Sequence, residues 1–313
     1  MKSRINKSLL YAVVLLLLGA CNKQNIVTDN NTSVHAKLSL FMVHDTTHIF
    51  LTGYSPDTME LYRFSYDAQG RTSSIYHRGI HGGPGPIFNG TRLIFLYQGN
   101  DTLPYYCKST PEYGGGYQEF YVYYDADGYV KRDSSIIADI NGPYDYSARD
   151  YALQGSNLIF TYRAYPTSNP NGTPSVLVRN FDLQFNNGNI VSQKENLPDV
   201  KSVYENTFDT KPNPLFEAWP YHFRVPFFTL TLPPYCGCVE ADFLVQQPAY
   251  KNNQLKQVKT FTATSNGDVA TATREYSYTY DADGYPLIIK QSTPGIPITI
   301  DDMRRYEYKF VYQ

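Results

Sequence analysis

Tryptophan is almost missing from this chain, with one in 313 residues beside four methionines, four cysteines and six histidines. So few cysteines and histidines leave little from which to build a metal centre. Near Cys236-Gly237-Cys238 there is no histidine or second cysteine pair at ligand spacing. Basic residues are not in excess, at 27 Lys and Arg against 29 Asp and Glu, which argues against a nucleic-acid partner. There is no Gly-x-Ser-x-Gly elbow, no P-loop and no dinucleotide glycine pattern. Scattered carboxylates define no glycosidase pair. After residue 20 no long window carries apolar residues at a 3.6-residue period, so almost no helix is expected.

What is abundant is tyrosine, 30 residues, with 17 phenylalanines. Aromatic and β-branched residues suit a pleated, half-exposed surface. They recur in a repeat: Tyr62-Arg63-Phe64-Ser65-Tyr66-Asp67-Ala68-Gln69-Gly70, then Tyr121-Val122-Tyr123-Tyr124-Asp125-Ala126-Asp127-Gly128, then Tyr276-Ser277-Tyr278-Thr279-Tyr280-Asp281-Ala282-Asp283-Gly284. Leu183 to Ile190 is a degenerate copy with Asn186-Asn187-Gly188. In each, an alternating strand meets Asp/Asn-x-x-Gly or a shortened form of it, and a second strand-like run follows. The Asp or Asn can accept from backbone N–H groups, and the glycine supplies the left-handed residue of a type I turn with a G1 bulge. The repeat is a β-hairpin written in turn chemistry.

Further strands are expected over Lys37–Val43 and Thr47–Thr52, flanking a turn at His44-Asp45-Thr46, and over Thr91–Tyr97, Asn157–Tyr162, Ser175–Arg179, Lys256–Thr264 and Val269–Tyr280. In the last ten residues Tyr306, Tyr308, Phe310 and Tyr312 alternate with Arg305, Glu307, Lys309 and Val311. The fold class is all-β: an antiparallel meander of repeated hairpins forming a curved or barrel-like sheet. Residues 211–238 interrupt it. Lys211-Pro212-Asn213-Pro214 excludes a central strand, and a structured insertion with a short helix after Pro214, plugging an open end of the sheet, is expected there. Gly82–Pro86 and Gly114–Gly116 read as mobile loops.

The N-terminus carries an address. Lys2, Arg4 and Lys7 precede the apolar run Leu9–Leu18, long enough for a signal peptide but short of the ~20 residues of a membrane span. Leu18-Gly19-Ala20-Cys21 then has the form of a bacterial lipobox. Residues 1–20 read as a signal peptide, Cys21 as the lipidated first residue, residues 21–35 as a polar tether, and 36–313 as a single β domain. Without the three n-region charges the formal balance is 24 basic against 29 acidic residues. The position after Cys21 is Asn22 rather than Asp, which favours the outer membrane as the site of the lipid anchor.

Three cysteines remain, so at most one bridge forms within the chain: Cys107 with Cys236 or Cys238, or a tight ring between the last two. Asp125-x-Asp127-Gly128 and Asp281-x-Asp283-Gly284 look like fragments of calcium loops. A full loop needs Glu at its twelfth position, where Ile136 and Ser292 stand, and the first repeat has Gln69 where a ligand should be. They read as turn formers, and neither metal nor other cofactor is expected. His77 and His81 sit four apart, but the neighbouring glycines and prolines argue against a shared helix face. Tyr105, Tyr106, Tyr113 and Tyr117, with Tyr144 and Tyr146, gather around the glycine-rich loop. Exposed tyrosines stack on sugar rings, so the first four are the candidate ligand-binding residues. Asp45-Thr46-Thr47, Asp57-Thr58-Met59 and Asp101-Thr102-Leu103 match a short O-glycosylation acceptor pattern.

The lipobox, the repeated Tyr-Asp-x-x-Gly hairpins and the stretch Phe208-Asp209-Thr210-Lys211-Pro212-Asn213-Pro214-Leu215 together resemble lipoproteins of the Bacteroidota grouped as a domain of unknown function with a porin-like fold. The hairpins are also distantly similar to the YD repeats of Rhs-type secreted shells. The resemblance implies a curved or barrel-like sheet and no reaction. The expectation is a non-catalytic, lipid-anchored envelope protein that binds or scaffolds. Its partners are the membrane, through Cys21, and a glycan or another envelope protein. The alternative is a surface glycan-binding lipoprotein of a polysaccharide-uptake system. A true outer-membrane barrel is disfavoured by Arg63, Arg274, Glu275, Arg305 and Lys309 in the strands, since lipid-facing positions must be apolar.

Overall fold

In a computed structural model of the chain, residues 37–45, 58–78, 90–112, 116–139, 142–165, 172–196, 198, 200–222, 250–292 and 306–313 are described. They form sixteen strands: β1 (Leu38–Asp45), β2 (Thr58–Tyr66), β3 (Thr72–Arg78), β4 (Gly90–Leu96), β5 (Tyr106–Pro111), β6 (Tyr117–Tyr124), β7 (Val130–Asp139), β8 (Gly142–Gln154), β9 (Asn157–Tyr165), β10 (Ser175–Asn186), β11 (Asn189–Asn196), β12 (Val200–Pro212), β13 (Asn252–Ala263), β14 (Val269–Tyr280), β15 (Pro286–Ser292) and β16 (Tyr306–Tyr312). Each pairs antiparallel with its sequence neighbours, and β16 closes on β1, where Phe41 faces Phe310 and Val43 faces Tyr308. The fold is all-β, a closed barrel with no free sheet edge.

The repeat forms the hairpins at one end. Asp67 Oδ1 accepts from Gln69 N at 3.0 Å and Arg71 N at 2.8 Å. Asp125 Oδ1 accepts from Asp127 N and Tyr129 N, both at 3.0 Å. Asp281 Oδ1 accepts from Asp283 N at 3.0 Å and Tyr285 N at 2.8 Å. Gly70, Gly128 and Gly284 take φ of 78°, 82° and 88°, which a side chain resists. Each turn is followed by a register shift next to its tyrosine, the mark of a bulge. This turn end also carries Lys37 and Gln313, which bond each other through their backbones.

Three expectations need correction. No turn forms at His44-Asp45: both lie in β1, facing Glu307 and Tyr306 of β16, and His44 also faces Thr58 of β2. Thr46 to Thr52 lie outside the described residues. Pro212 does not exclude a strand. It ends β12 opposite Asn252 after two register shifts, at a position where a missing N–H disturbs no regular ladder. Ser175–Arg179 is only the start of β10, which runs on to Asn186.

The insertion after Pro212 does form a helix, α1 (Pro214–Ala218). Asn213 caps it, its side-chain oxygen accepting from Leu215 N at 3.0 Å, and Pro214 sits in the first turn. Among the described residues it is the only helix. Leu215, Ala218, Trp219 and Tyr221 are buried in the lumen. On one side the segment is held by β12 and β13, where Asn213 Nδ2 donates to Tyr250 O. On the other side it reaches β2 to β7. Thr72 Oγ1 donates to Ala218 O at 2.7 Å, Trp219 meets the Tyr62 ring edge-on at 5.8 Å, and Val130 N donates to His222 O at 2.9 Å. A sixteen-stranded barrel is wide enough to leave an aqueous channel. Here the chain crosses that width and fills the turn end.

Candidate functional site

The lumen changes character along its length. Inward residues near the tight turns are apolar: Phe64, Phe95, Val122, Val130, Leu158, Phe160 and Leu183 pack with Trp219 and Tyr221. Further from the turns the inward positions become polar. Thr91, Ser109, Ser135, Arg149, Glu195 and Ser202 are all buried. Ser135 and Ser147 share a hydroxyl contact of 2.7 Å, and Arg179 pairs with Glu195.

At the boundary stands a buried ionic cluster. Asp133, fully enclosed, accepts from Arg149 Nε at 2.7 Å and from the Tyr151 hydroxyl at 3.0 Å. Burial opposes the Arg149 charge, but Asp133 beside it holds the pKa above the ordinary arginine range. Paired strands set this geometry, since Asp133 of β7 lies opposite Arg149 of β8. The cluster ties β7 to β8 inside the lumen, and the arrangement offers a strut between neighbouring strands rather than a reactive group. His77 also points inward, stacked on Tyr62 at 4.9 Å, and burial pushes its imidazole down to about 4. It does not meet a second histidine; His81 lies outside the described residues.

Cys107 is a free thiol at 0% exposure, bonded by Tyr221, and burial pushes its pKa up. Cys236 and Cys238, the candidate bridge partners, lie outside the described residues, as do Cys21 and the loop Gly82–Pro86. The aspartates of the calcium-like fragments turn their Oδ1 atoms onto backbone N–H groups, the turn-forming role. Of the glycosylation-like threonines, Thr102 is exposed on the loop before β5.

Of the candidate ligand-binding tyrosines, Tyr113 lies outside the described residues. Tyr106 and Tyr117 lie on the outside of β5 and β6, because Cys107 and Phe120 take the inward positions, and Tyr105 is exposed just before β5. Tyr106 sits beside Tyr121 at 5.3 Å and Tyr105 at 6.4 Å. Tyr117 stands apart, further along β6, under the Lys108 ammonium at 4.1 Å. Lys108 in turn pairs with Glu119. Tyr121 and Tyr123, from the strand of the second repeat, are exposed and join the patch, with Ile94 and Leu96 of β4 beside them.

Next to this patch is a groove of about 290 Å³ lined by Arg63, Ser65, Ser74, Tyr76, Arg92 and Glu112. Sequence reading took Arg63 only as a charge unsuited to lipid. The turn at Asp67 offered one signal, since its register sets Arg63 opposite Tyr76. Nothing local placed Arg92 beyond them. Elsewhere the ion pairs Arg132–Asp150, Lys256–Glu275 and Lys290–Glu307 alternate with exposed apolar side chains, Val176, Val178, Val269 and Val311 among them.

No protein-family model matches this chain, and none of the curated proteins does. Solved structures similar in fold include two porin-like proteins. One is a porin-like protein from Bacteroides uniformis, at 11% identity and a TM-score of 0.46, covering 88% of this chain and 98% of that one. The other is a porin-like protein from Bacteroides vulgatus, at 12% identity and a TM-score of 0.46, covering 89% and 99%.

Proposed function

We propose that this protein is a non-catalytic component of the bacterial envelope, tethered to the outer membrane by lipid on Cys21, whose barrel stands in the aqueous phase and works by binding or scaffolding. The observation that carries this reading is the set of charged pairs exposed on the barrel wall. A barrel that crosses a bilayer needs a continuous apolar outer band. The pairs Arg132–Asp150, Lys256–Glu275 and Lys290–Glu307 interrupt any such band at three places around the wall. The plug of Leu215, Trp219 and Tyr221 is buried inside the turn end. Among the described residues no helix is long and apolar enough to cross a membrane. Anchoring therefore falls to the N-terminal lipid, since stable attachment takes more than one acyl chain or an added signal.

The second reading, a surface glycan-binding lipoprotein, is favoured by one feature, the exposed tyrosines Tyr105, Tyr121 and Tyr123 on a single outer face. The test of the first reading is membrane fractionation of wild type and Cys21→Ser with a fatty-acid label. Wild type is expected to take label and sediment with outer membranes, and the variant to take none and stay soluble. A Cys21→Ser protein that resists extraction from membranes at high pH would show an inserted barrel and overturn the proposal.

A further inference from the structure

We infer that the outer face of β2 to β6 is a binding site for an acidic saccharide, with the charged sugar unit seated in the groove at Arg63 and Arg92 and the chain continuing over the tyrosines of β5 and β6. The site's position follows from strand register. Arg63 of β2 faces Tyr76 of β3, and Tyr76 faces Arg92 of β4. The two guanidinium groups therefore rise from backbones two strand spacings apart, roughly 10 Å, with a phenol ring between them. In the next row Ser65 faces Ser74. Glu112 closes the groove, its Oε2 accepting from the Tyr76 hydroxyl at 2.7 Å.

The mixture of groups selects the ligand. Two arginines line the groove with one carboxylate, and planar guanidinium groups suit a carboxylate, sulfate or phosphate. Ser65, Ser74 and Tyr76 supply hydroxyls, and Glu112 supplies an acceptor that would repel a bare anion but accepts from a sugar hydroxyl. The groove of about 290 Å³ has the volume of about ten liquid waters at roughly 30 Å³ each, more than an isolated oxyanion fills. Toward the turn end the same face carries Leu96, Tyr106 and Tyr121 in one cross-strand row, with Tyr105 and Tyr123 exposed beside them. Amphipathic rings of this kind stack on the apolar faces of sugars. A membrane surface would call for such residues around the wall, but the neighbouring β7–β8 face carries the Arg132–Asp150 ion pair instead.

Gly90 provides an independent handle. A Cβ there would come within 2.1 Å of the Tyr76 hydroxyl and 2.4 Å of Glu112 Oε2, so Gly90→Ala displaces that pair without touching either arginine. The experiment uses the full-length protein in detergent micelles, which makes its outcome independent of where the protein is anchored. The probes are polygalacturonate, chondroitin sulfate, neutral dextran and phosphatidylglycerol vesicles. Retention on an acidic polymer and not on dextran or vesicles is expected. Arg63→Gln with Arg92→Gln should weaken it at least tenfold with an unchanged melting temperature. Gly90→Ala, and separately Tyr121→Ala with Tyr123→Ala, should weaken it severalfold. No retention on either acidic polymer, equal retention by the double arginine variant, or capture by the vesicles instead would each overturn the assignment. Retention of Cys21→Ser at wild-type strength would leave this site standing even if the anchoring proposal failed.

Discussion

The two ends of this barrel are built on different physics. At the turn end the hairpins rest on devices that are local and repeated. An aspartate ties its own turn, a glycine takes the left-handed position, and a tyrosine hydroxyl reaches the backbone of an adjacent strand. Tyr66 donates to Leu38 O, Tyr97 to Thr72 O, Tyr124 to Pro104 O and Tyr312 to Pro286 O, all within 2.6–2.7 Å. These hydroxyls stitch the rim from β15 round to β6, and below it the lumen is aromatic. Further along the strands the inward side chains are joined in cross-strand polar pairs, Asp133 with Arg149 and Ser135 with Ser147. Net stability should come mainly from burial at the turn end, because a buried ion pair barely repays its desolvation. The polar half should supply register and uniqueness.

That contrast can be tested from its largest expected effect downward. Trp219→Ala removes the widest part of the plug and should cost about 4 kcal/mol in urea unfolding, by lost transfer energy and a residual cavity. Trp219→Phe should cost far less, because the indole Nε1 is buried without a hydrogen-bond partner among the described residues, and phenylalanine lacks that donor. A similar loss for both variants would mean that the plug acts through a specific polar contact instead.

In the polar half, Asp133→Asn leaves the Arg149 charge buried without its counterion and should cost about 3 kcal/mol. Asp133→Leu combined with Arg149→Met should cost less than about 1 kcal/mol, since a well-packed apolar pair replaces the ions. If the double variant were as unstable as the single one, the cluster would be a source of net stability and the contrast would fail.

His77 gives the comparison a pH axis. Its folded pKa of about 4 lies below the unfolded value near 6.5, so the native state binds fewer protons between the two. Stability from this group is complete above pH ~6.5 and is lost as pH falls towards 4, by about 3 kcal/mol in all. Melting curves across that window should show the slope in wild type and a flatter profile in His77→Gln. The smallest effect concerns the turns. Gly284→Val forces a β-branched residue to φ 88° and should cost about 1 kcal/mol or somewhat more, read as a lowered urea midpoint with unchanged slope. The same substitution at Gly128 should behave alike, since its φ is 82°.

Much of the turn end was legible in the chain. Tyr66-Asp67 and Gly70 announce a hairpin because their effect is confined to five residues, and the structure uses them that way. The helix after Pro214 was readable for the same reason, with Asn213 as its cap. Where the reading went astray, a long-range partner had decided. His44-Asp45-Thr46 has turn-like composition, yet β16 supplies a ladder for His44 and Asp45 that outweighs local preference. The tyrosines of β6 alternate as the pattern requires, but only barrel closure determines that Phe120 and Val122 face in while Tyr121 and Tyr123 face out. The groove was illegible because Arg63, Tyr76 and Arg92 stand 13 and 16 residues apart and meet only through two pairings.

By itself, then, the sequence determined the all-β class, the hairpin turns and the short capped helix, because each depends on a few adjacent residues and their backbone preferences. The tertiary structure alone decided that sixteen strands close, that the segment from Asn213 to His222 crosses the lumen, and that Asp133 finds Arg149. Those outcomes depend on strand count, stagger and the direction of each side chain. These are properties of the closed sheet as a whole, which no single window of residues encodes.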